Sequence, residues 1–279
     1  TPQTVIFNND GTKVYVSGSA NGRAYQFKLS TPYDISTISP DVSAPSQIKN
    51  LVLYSNTWYN RGKQFSHDGK RLFVLDSEPA NPLSIDEYIL TTAYDLDTAS
   101  YNTAVSIAGN GLVRPEGLHI KPDGTGITVI DGHKTFATAK VFEYTTSALG
   151  QGGGSFSGWV STIQHALGSS NPNLRIRGVA VDSNDNVILG GDDGLDAGVA
   201  IKLDSTGSVV TAKSWGTQYH SHRIKAVAVD SSDNAVFAGY ARDNWNKKDG
   251  YIMKLDSSFN KVFDKWQGEG YDDENMDVA

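Results

Sequence analysis

The sequence predicts an all-β fold, a β-propeller of about five four-stranded blades, with a sixth if the terminal fragment is completed by another segment or copy. Three observations carry this expectation. Hairpin-like units recur along the chain, centred on turn pairs at positions 10, 68, 123, 185 and 233. Their separations of 58, 55, 62 and 48 residues lie at or above the roughly 40 to 50 residues of propeller blades, as added loops would make them. No apolar pattern with a helical period persists for the length of a helix.

The first three units align around an Asp-Gly pair: Val5 to Gly18 (VIFNNDGTKVYVSG), Gln64 to Asp76 (QFSHDGKRLFVLD) and Leu118 to Asp131 (LHIKPDGTGITVID). Asp-Gly between runs of alternating or β-branched residues signals a hairpin with a type I′ turn, whose two central residues both take positive φ. A third apolar run follows in each unit, Arg23 to Leu29, Ser84 to Leu90 and Lys140 to Thr145. The first two units then carry a polar tail, Tyr33-Asp34-Ile35-Ser36-Thr37 and Tyr94-Asp95-Leu96-Asp97-Thr98, which the third lacks.

In the second half the wording changes and the arrangement persists. Gly178 to Gly190 (GVAVDSNDNVILG) matches Ala226 to Gly239 (AVAVDSSDNAVFAG), with Asp185-Asn186 and Asp233-Asn234 in place of Asp-Gly. Asn also tolerates left-handed geometry. A further matching pair, Gly198 to Gly207 and Gly250 to Asn260, precedes runs that end in tryptophan, Val209 to Trp215 and Lys261 to Trp266. The expected organisation is one propeller domain over 1–279, with blades at about 1–60, 61–115, 116–175, 176–223 and 224–275. Residues 276–279 repeat the start of an innermost strand and read as the opening of a further blade, to be completed at a ring seam, by a longer chain or by head-to-tail assembly.

Composition narrows the function classes. A net charge of −7 and a pI near 5.3 argue against nucleic acid as a partner. The absence of cysteine excludes disulfides, thiolate catalysis and Cys-ligated zinc. No apolar run reaches the roughly 20 residues that span a bilayer, so membrane insertion is not expected. Thr1-Pro2-Gln3 lacks the character of a signal peptide, and without an initiating Met the chain reads as processed or cut from something longer.

The first half, with its F-x-x-D-G-x-K-x-Y/F-V hairpin, Y-Q-F-K-L-S strand and Y-D-I-S-T tail, resembles propeller-type repeats of marine phage virion proteins and large bacterial surface proteins. The second half, with V-A-V-D-S-x-D-N and I-x-K-L-D-S, is similar to β-propeller repeats of bacterial secreted and cell-surface proteins. The resemblance implies a scaffold that presents loops, and an extracellular or virion-associated place.

Candidate binding residues follow from aromatic rings beside amides and charges in loops: Trp58, Tyr59 and Arg61, and Asn244 with Trp245. Such groups suit stacking and hydrogen bonding to a glycan or a protein surface. Asp192, Asp193 and Asp196 form the richest oxygen cluster and are the candidate metal ligands, with Ca²⁺ the cation such hard oxygens would take and no other cofactor expected. The turns Asp182 to Asn186 and Asp230 to Asn234 read as ordinary turns, since they lack the glycine and terminal Glu of an EF-hand. His220 and His222 share one strand face without a visible third ligand, and Trp159, Trp215 and Trp266 read as blade packing. No nucleophile elbow, metalloprotease helix motif or phosphate loop occurs. The leading reading is a non-catalytic binding or structural module. A hydrolase or lyase with acidic residues gathered at the central channel, and a self-assembling element joined through the incomplete blade, are the alternatives.

Overall fold

The structure, a computed structural model, describes residues 2–18, 22–44, 47–53, 60–77, 83–108, 111–113, 115–121, 124–131, 140–145, 160–163, 174–194, 197–216, 221–242 and 248–267. Sheet 1 joins β1 (Pro2–Phe7), β2 (Lys13–Gly18), β3 (Arg23–Leu29) and β4 (Ile38–Pro40). A small hairpin of β5 (Val42–Ala44) and β6 (Gln47–Ile48) interrupts its outer edge, after which β7 (Asn50–Val52) also pairs with β3. Sheet 2 contains β8 (Asn60–Phe65), β9 (Arg71–Asp76), β10 (Ser84–Leu90) and β11 (Ala99–Ser106). Sheet 3 contains β12 (Pro115–Ile120), β13 (Gly126–Asp131), β14 (Lys140–Thr145) and β15 (Val160–Thr162). Sheet 4 contains β16 (Arg175–Val181), β17 (Val187–Asp192), β18 (Gly198–Leu203) and β19 (Val209–Trp215). Sheet 5 contains β20 (Ser221–Val229), β21 (Ala235–Arg242), β22 (Lys248–Leu255) and β23 (Lys261–Gln267).

Each sheet takes its strands from consecutive segments, in the meander order of a propeller blade. Five such sheets are built by the described residues. The expected opening of a sixth blade at 276–279 lies outside them, and nothing in the structure supports a sixth. The chain forms two compact units, the first holding sheets 1 and 2 and the second holding sheets 4 and 5 with most of sheet 3.

Strand alternation explains the cores. In β17, Val187 and Leu189 join one apolar cluster with Ile130 and Val141 of sheet 3, while Ile188 between them joins another with Phe237 and Tyr251 of sheet 5. Sheet 4 is thus buried on both faces, which is why β17 reads as a continuous apolar run instead of alternating. In the first unit, Tyr15 and Ala24 of sheet 1 pack with Leu72, Val74 and Tyr88 of sheet 2. Burial fades outward, and Val209 and Val210 on β19 are exposed.

The hairpin turns differ from the type I′ expectation. Gly11 and Gly69 have φ of +68° and +67°, but Asp10 and Asp68 are not left-handed. Gly11 N–H donates to Asn8 O (3.0 Å) and Gly69 N–H to Ser66 O (2.8 Å). A four-residue β-turn therefore ends in one left-handed residue, which lengthens the loop and needs positive φ only once. In sheets 4 and 5 that residue is the aspartate, Asp185 at +61° and Asp233 at +60°, not the asparagine after it. The preceding Asp182 explains the choice, because its Oδ1 accepts from Asn184 N–H and Asn186 N–H, both at 2.9 Å, and wraps the backbone around itself. Asp230 does the same with Ser232 and Asn234 N–H (2.9 and 3.0 Å), and hydrogen bonds from Lys254 and Asn234 hold its carboxyl well below the usual range.

The Tyr-Asp tails of the first two units close over these turns. Tyr94, itself left-handed at φ +57°, donates its N–H to Gly69 O (2.9 Å) and its hydroxyl to His67 O (2.8 Å), laying its ring where a Gly69 side chain would be. Tyr33 repeats this over Gly11, with its hydroxyl 2.6 Å from Asn9 O. Tyr94 O accepts in turn from Tyr15 Oη (2.7 Å) and Lys13 Nζ (2.9 Å), so the tail of sheet 2 is bonded to sheet 1.

Candidate functional site

Of the residues singled out from sequence, Trp58, Tyr59, Asn244, Trp245 and Asp196 lie outside the described residues, as do Trp159 and His220. Arg61 lies on β8, where its backbone carbonyl accepts from Thr4 Oγ1 at 2.6 Å. Asp192 ends β17 at 1% exposure, with Arg177 Nε at 3.2 Å and Arg175 Nη1 at 3.7 Å. Asp193 caps the following loop by accepting from Ala197 N–H (3.0 Å). The described part of the acidic cluster is thus occupied with internal bonds, and no group of three or more potential metal ligands gathers among the described residues.

The structure brings other residues together, between sheets 4 and 5. β19 supplies Lys213, Ser214 and Trp215, β22 supplies Tyr251, Met253 and Leu255, and β23 supplies Lys261 and Asp264, around a groove of about 240 Å³. Met253 and Leu255 are buried and form an apolar floor, because every second residue of β22 points toward sheet 4. Tyr251 Oη approaches Asp264 Oδ2 at 3.4 Å, and burial together with this carboxylate pushes the hydroxyl up, keeping it neutral. Trp215 packs edge-on against Phe237, and its Nε1 is buried near the Tyr251 hydroxyl without a hydrogen bond of ordinary geometry. Lys261 and Asp264 pair at 3.1 Å on the rim. His222 is buried edge-on between Tyr251 (4.7 Å) and Trp266 (5.2 Å). Trp266 keeps 41% of its surface exposed.

An apolar floor, aromatic walls and a few charged groups at the rim are what a small organic ligand requires. The volume lies below the roughly 300 Å³ at which sites take drug-sized molecules, a scale that suits a single ring. Sequence alone pointed to Trp215 and Trp266 only as packing, because nothing in one strand shows which strand of the next blade it will face.

Acidic residues do gather elsewhere, on the face of sheet 2 that packs on sheet 1. Asp76 and Asp86 are buried there, on the same strand face as Val74 and Tyr88, and Lys63 joins them from β8. Burial alone pulls the Lys63 amine down to about 7. Burial pushes the Asp86 carboxyl up to about 6, opposed by the Ser84 hydroxyl at 3.0 Å and reinforced by Asp76. Since the folded state then holds a proton that the unfolded state releases, this group costs stability as pH rises from about 4 to about 6. Asp86→Asn is expected to stabilise the protein by about 1–3 kcal/mol at pH 8 and hardly at all at pH 4. Urea melts at the two pH values check this, and equal effects at both would refute it.

No protein-family model and no curated protein matches the chain. Solved structures do. The chain is similar to hydrazine synthase of Kuenenia stuttgartiensis, with TM-score 0.60 and 12% identity over 92% of this chain, and it spans 63% of that one. A chain of a nidogen/laminin complex is matched with TM-score 0.55 and 13% identity, over 94% of this chain and 79% of the other. A putative TolB from Agrobacterium tumefaciens is matched with TM-score 0.55 and 14% identity, over 97% and 83%. At such identities the likeness shows the fold: a β-propeller, here with five four-stranded blades.

Proposed function

We propose that the protein is a non-catalytic binding module of an extracellular or virion-associated assembly, and that it holds a sugar ring in the groove between sheets 4 and 5. The observation that carries this is the groove itself, with Trp215 and Tyr251 as walls and Lys261 with Asp264 as hydrogen-bonding rim. Sugars offer an apolar face to aromatic rings and hydroxyls to charged groups, so they use both parts. The repeat resemblance supports the surface setting.

Glycan-array binding by the wild type and by Asp264→Asn tests the reading. A defined set of neutral glycans should bind, and Asp264→Asn should weaken them about tenfold, the order of one lost charge-assisted hydrogen bond, at unchanged melting temperature. Absence of any bound glycan, or equal binding by Asp264→Asn and Trp215→Phe, overturns it. A protein partner is the second reading, favoured by Val209 and Val210 on β19 and Val262, Phe263 and Trp266 on β23, large apolar residues exposed on outer strands. One solved neighbour is itself named as part of a protein complex.

A further inference from the structure

The third and fourth strands of sheets 4 and 5 pair in one register, down to a bulge before Leu203 in the one and before Leu255 in the other. Each residue of sheet 4 there has a counterpart in sheet 5, and several counterparts are alike: Gly198 and Gly250, Lys202 and Lys254, Leu203 and Leu255. The face that looks toward the preceding sheet differs. In sheet 4 it carries Val199 opposite Ser214 and Ile201 opposite Ala212, and Val199, Ile201 and Ala212 pack with Ile130 and Val141 of sheet 3. In sheet 5 it carries Tyr251 opposite Trp266 and Met253 opposite Asp264. A valine, an alanine and a serine thus give way to a tyrosine, an acid and a tryptophan, side by side on one face.

Packing does not require this trio, since sheet 4 closes the same place with small residues. Two of the three already belong to the groove, Tyr251 as a wall and Asp264 at the rim. Trp266 continues them: it lies two residues beyond Asp264 on the same face of β23, about 6.6 Å farther along the strand. Its ring stands nearly perpendicular to Tyr251 at 5.9 Å and to His222 at 5.2 Å, 82° in both cases. Tyr251 and His222 are buried, so they hold the indole in one orientation, while Trp266 itself is exposed. An aromatic surface fixed in advance gives up little entropy when a ligand settles on it.

We propose that Trp266 forms a second sugar subsite, so that the ligand is a glycan chain of at least two linked rings, one held in the groove beside Asp264 and the next stacked on the exposed indole. The choice of a glycan rests on the sugar-binding reading above, which this narrows to chains over single sugars. Sugar rings carry C–H groups on their faces, and an indole face receives those. The step from Asp264 to Trp266 along β23 is of the order of one ring with its linkage.

Calorimetric titration of the full chain tests the proposal, with glucose, N-acetylglucosamine and galactose as probes, each as the free sugar and as its β-linked di- and trisaccharide. In the series that binds, the disaccharide should bind about tenfold more tightly than the single sugar, the order of one aromatic contact. Trp266→Ser installs the residue of sheet 4 and should abolish that gain while leaving the affinity for the single sugar unchanged. Asp264→Asn should weaken both lengths alike. The indole N–H resonance of Trp266, assigned through Trp266→Phe, should shift with the disaccharide and not with the single sugar, which decides the matter if Trp266→Ser does not fold. Equal affinity at all lengths, an unmoved Trp266 resonance, a folded Trp266→Ser that binds the disaccharide like the wild type, or no binding in any series overturns the proposal. If single sugars bind and depend on Asp264 while length adds nothing, the groove reading stands and this one falls.

Discussion

Gly191→Ala and Gly239→Ala should each destabilise the protein by about 3–5 kcal/mol, the range of a backbone forced apart in a packed sheet. Both glycines face a β-bulge in the first strand of their sheet, between Ile176 and Gly178 in sheet 4 and between Ile224 and Ala226 in sheet 5. The bulge turns a carbonyl over the neighbouring strand. A Cβ on Gly191 would fall on Arg175 O, and one on Gly239 on Arg223 O, far inside contact distance in both cases. The obstacle is backbone at both positions, so no rotamer change relieves it. Gly178 adds a third such point, since a Cβ there would stand 2.7 Å from Val227 N of sheet 5. Denaturant melts measure the loss, and a change below about 1 kcal/mol would show that the bulge can slide.

Gly69→Ala should cost about 3 kcal/mol, while Gly124→Ala, at almost the same backbone angle, should cost only about 1 kcal/mol. Gly69 and Gly124 have φ of +67° and +73°, so the conformational penalty is shared. They differ in what lies above them. A Cβ at 69 would enter the Tyr94 ring, whereas one at 124 would meet nothing within 4 Å. Displacing Tyr94 would also break its bonds to Gly69 O and His67 O and disturb those its carbonyl accepts from Tyr15 and Lys13 of sheet 1. A double-mutant cycle isolates this term: with Tyr94→Ala in place, Gly69→Ala should cost no more than Gly124→Ala. Additivity would mean that the ring contributes nothing.

The difference between those glycines was already legible in the chain. The first two units carry both Asp-Gly and the Tyr-Asp tail, and the third keeps Asp-Gly after losing the tail. What the tail does was not legible, because a tyrosine at φ +57° is unfavourable by itself and is held only by the turn it covers. The turn type differs from the type I′ expectation for a related reason. Asp-Gly fits more than one hairpin, and the choice lies in the bond from Gly69 N–H to the carbonyl of Ser66, two residues before the pair. In the same way Asp185, not Asn186, became left-handed once Asp182 had captured the two amides on either side of it.

Local pattern determined the all-β class, the strands, the positions of the hairpins and the number of four-stranded units, since each depends on residues a few places apart. The sites waited for tertiary structure. Trp215 and Tyr251 meet across two sheets, and Asp192 comes between Arg175 and Arg177 only when the register of sheet 4 sets it opposite Arg175. Contacts across sheets depend on strand register and packing distance, and a linear sequence with a repeat length varying from 48 to 62 residues carries neither.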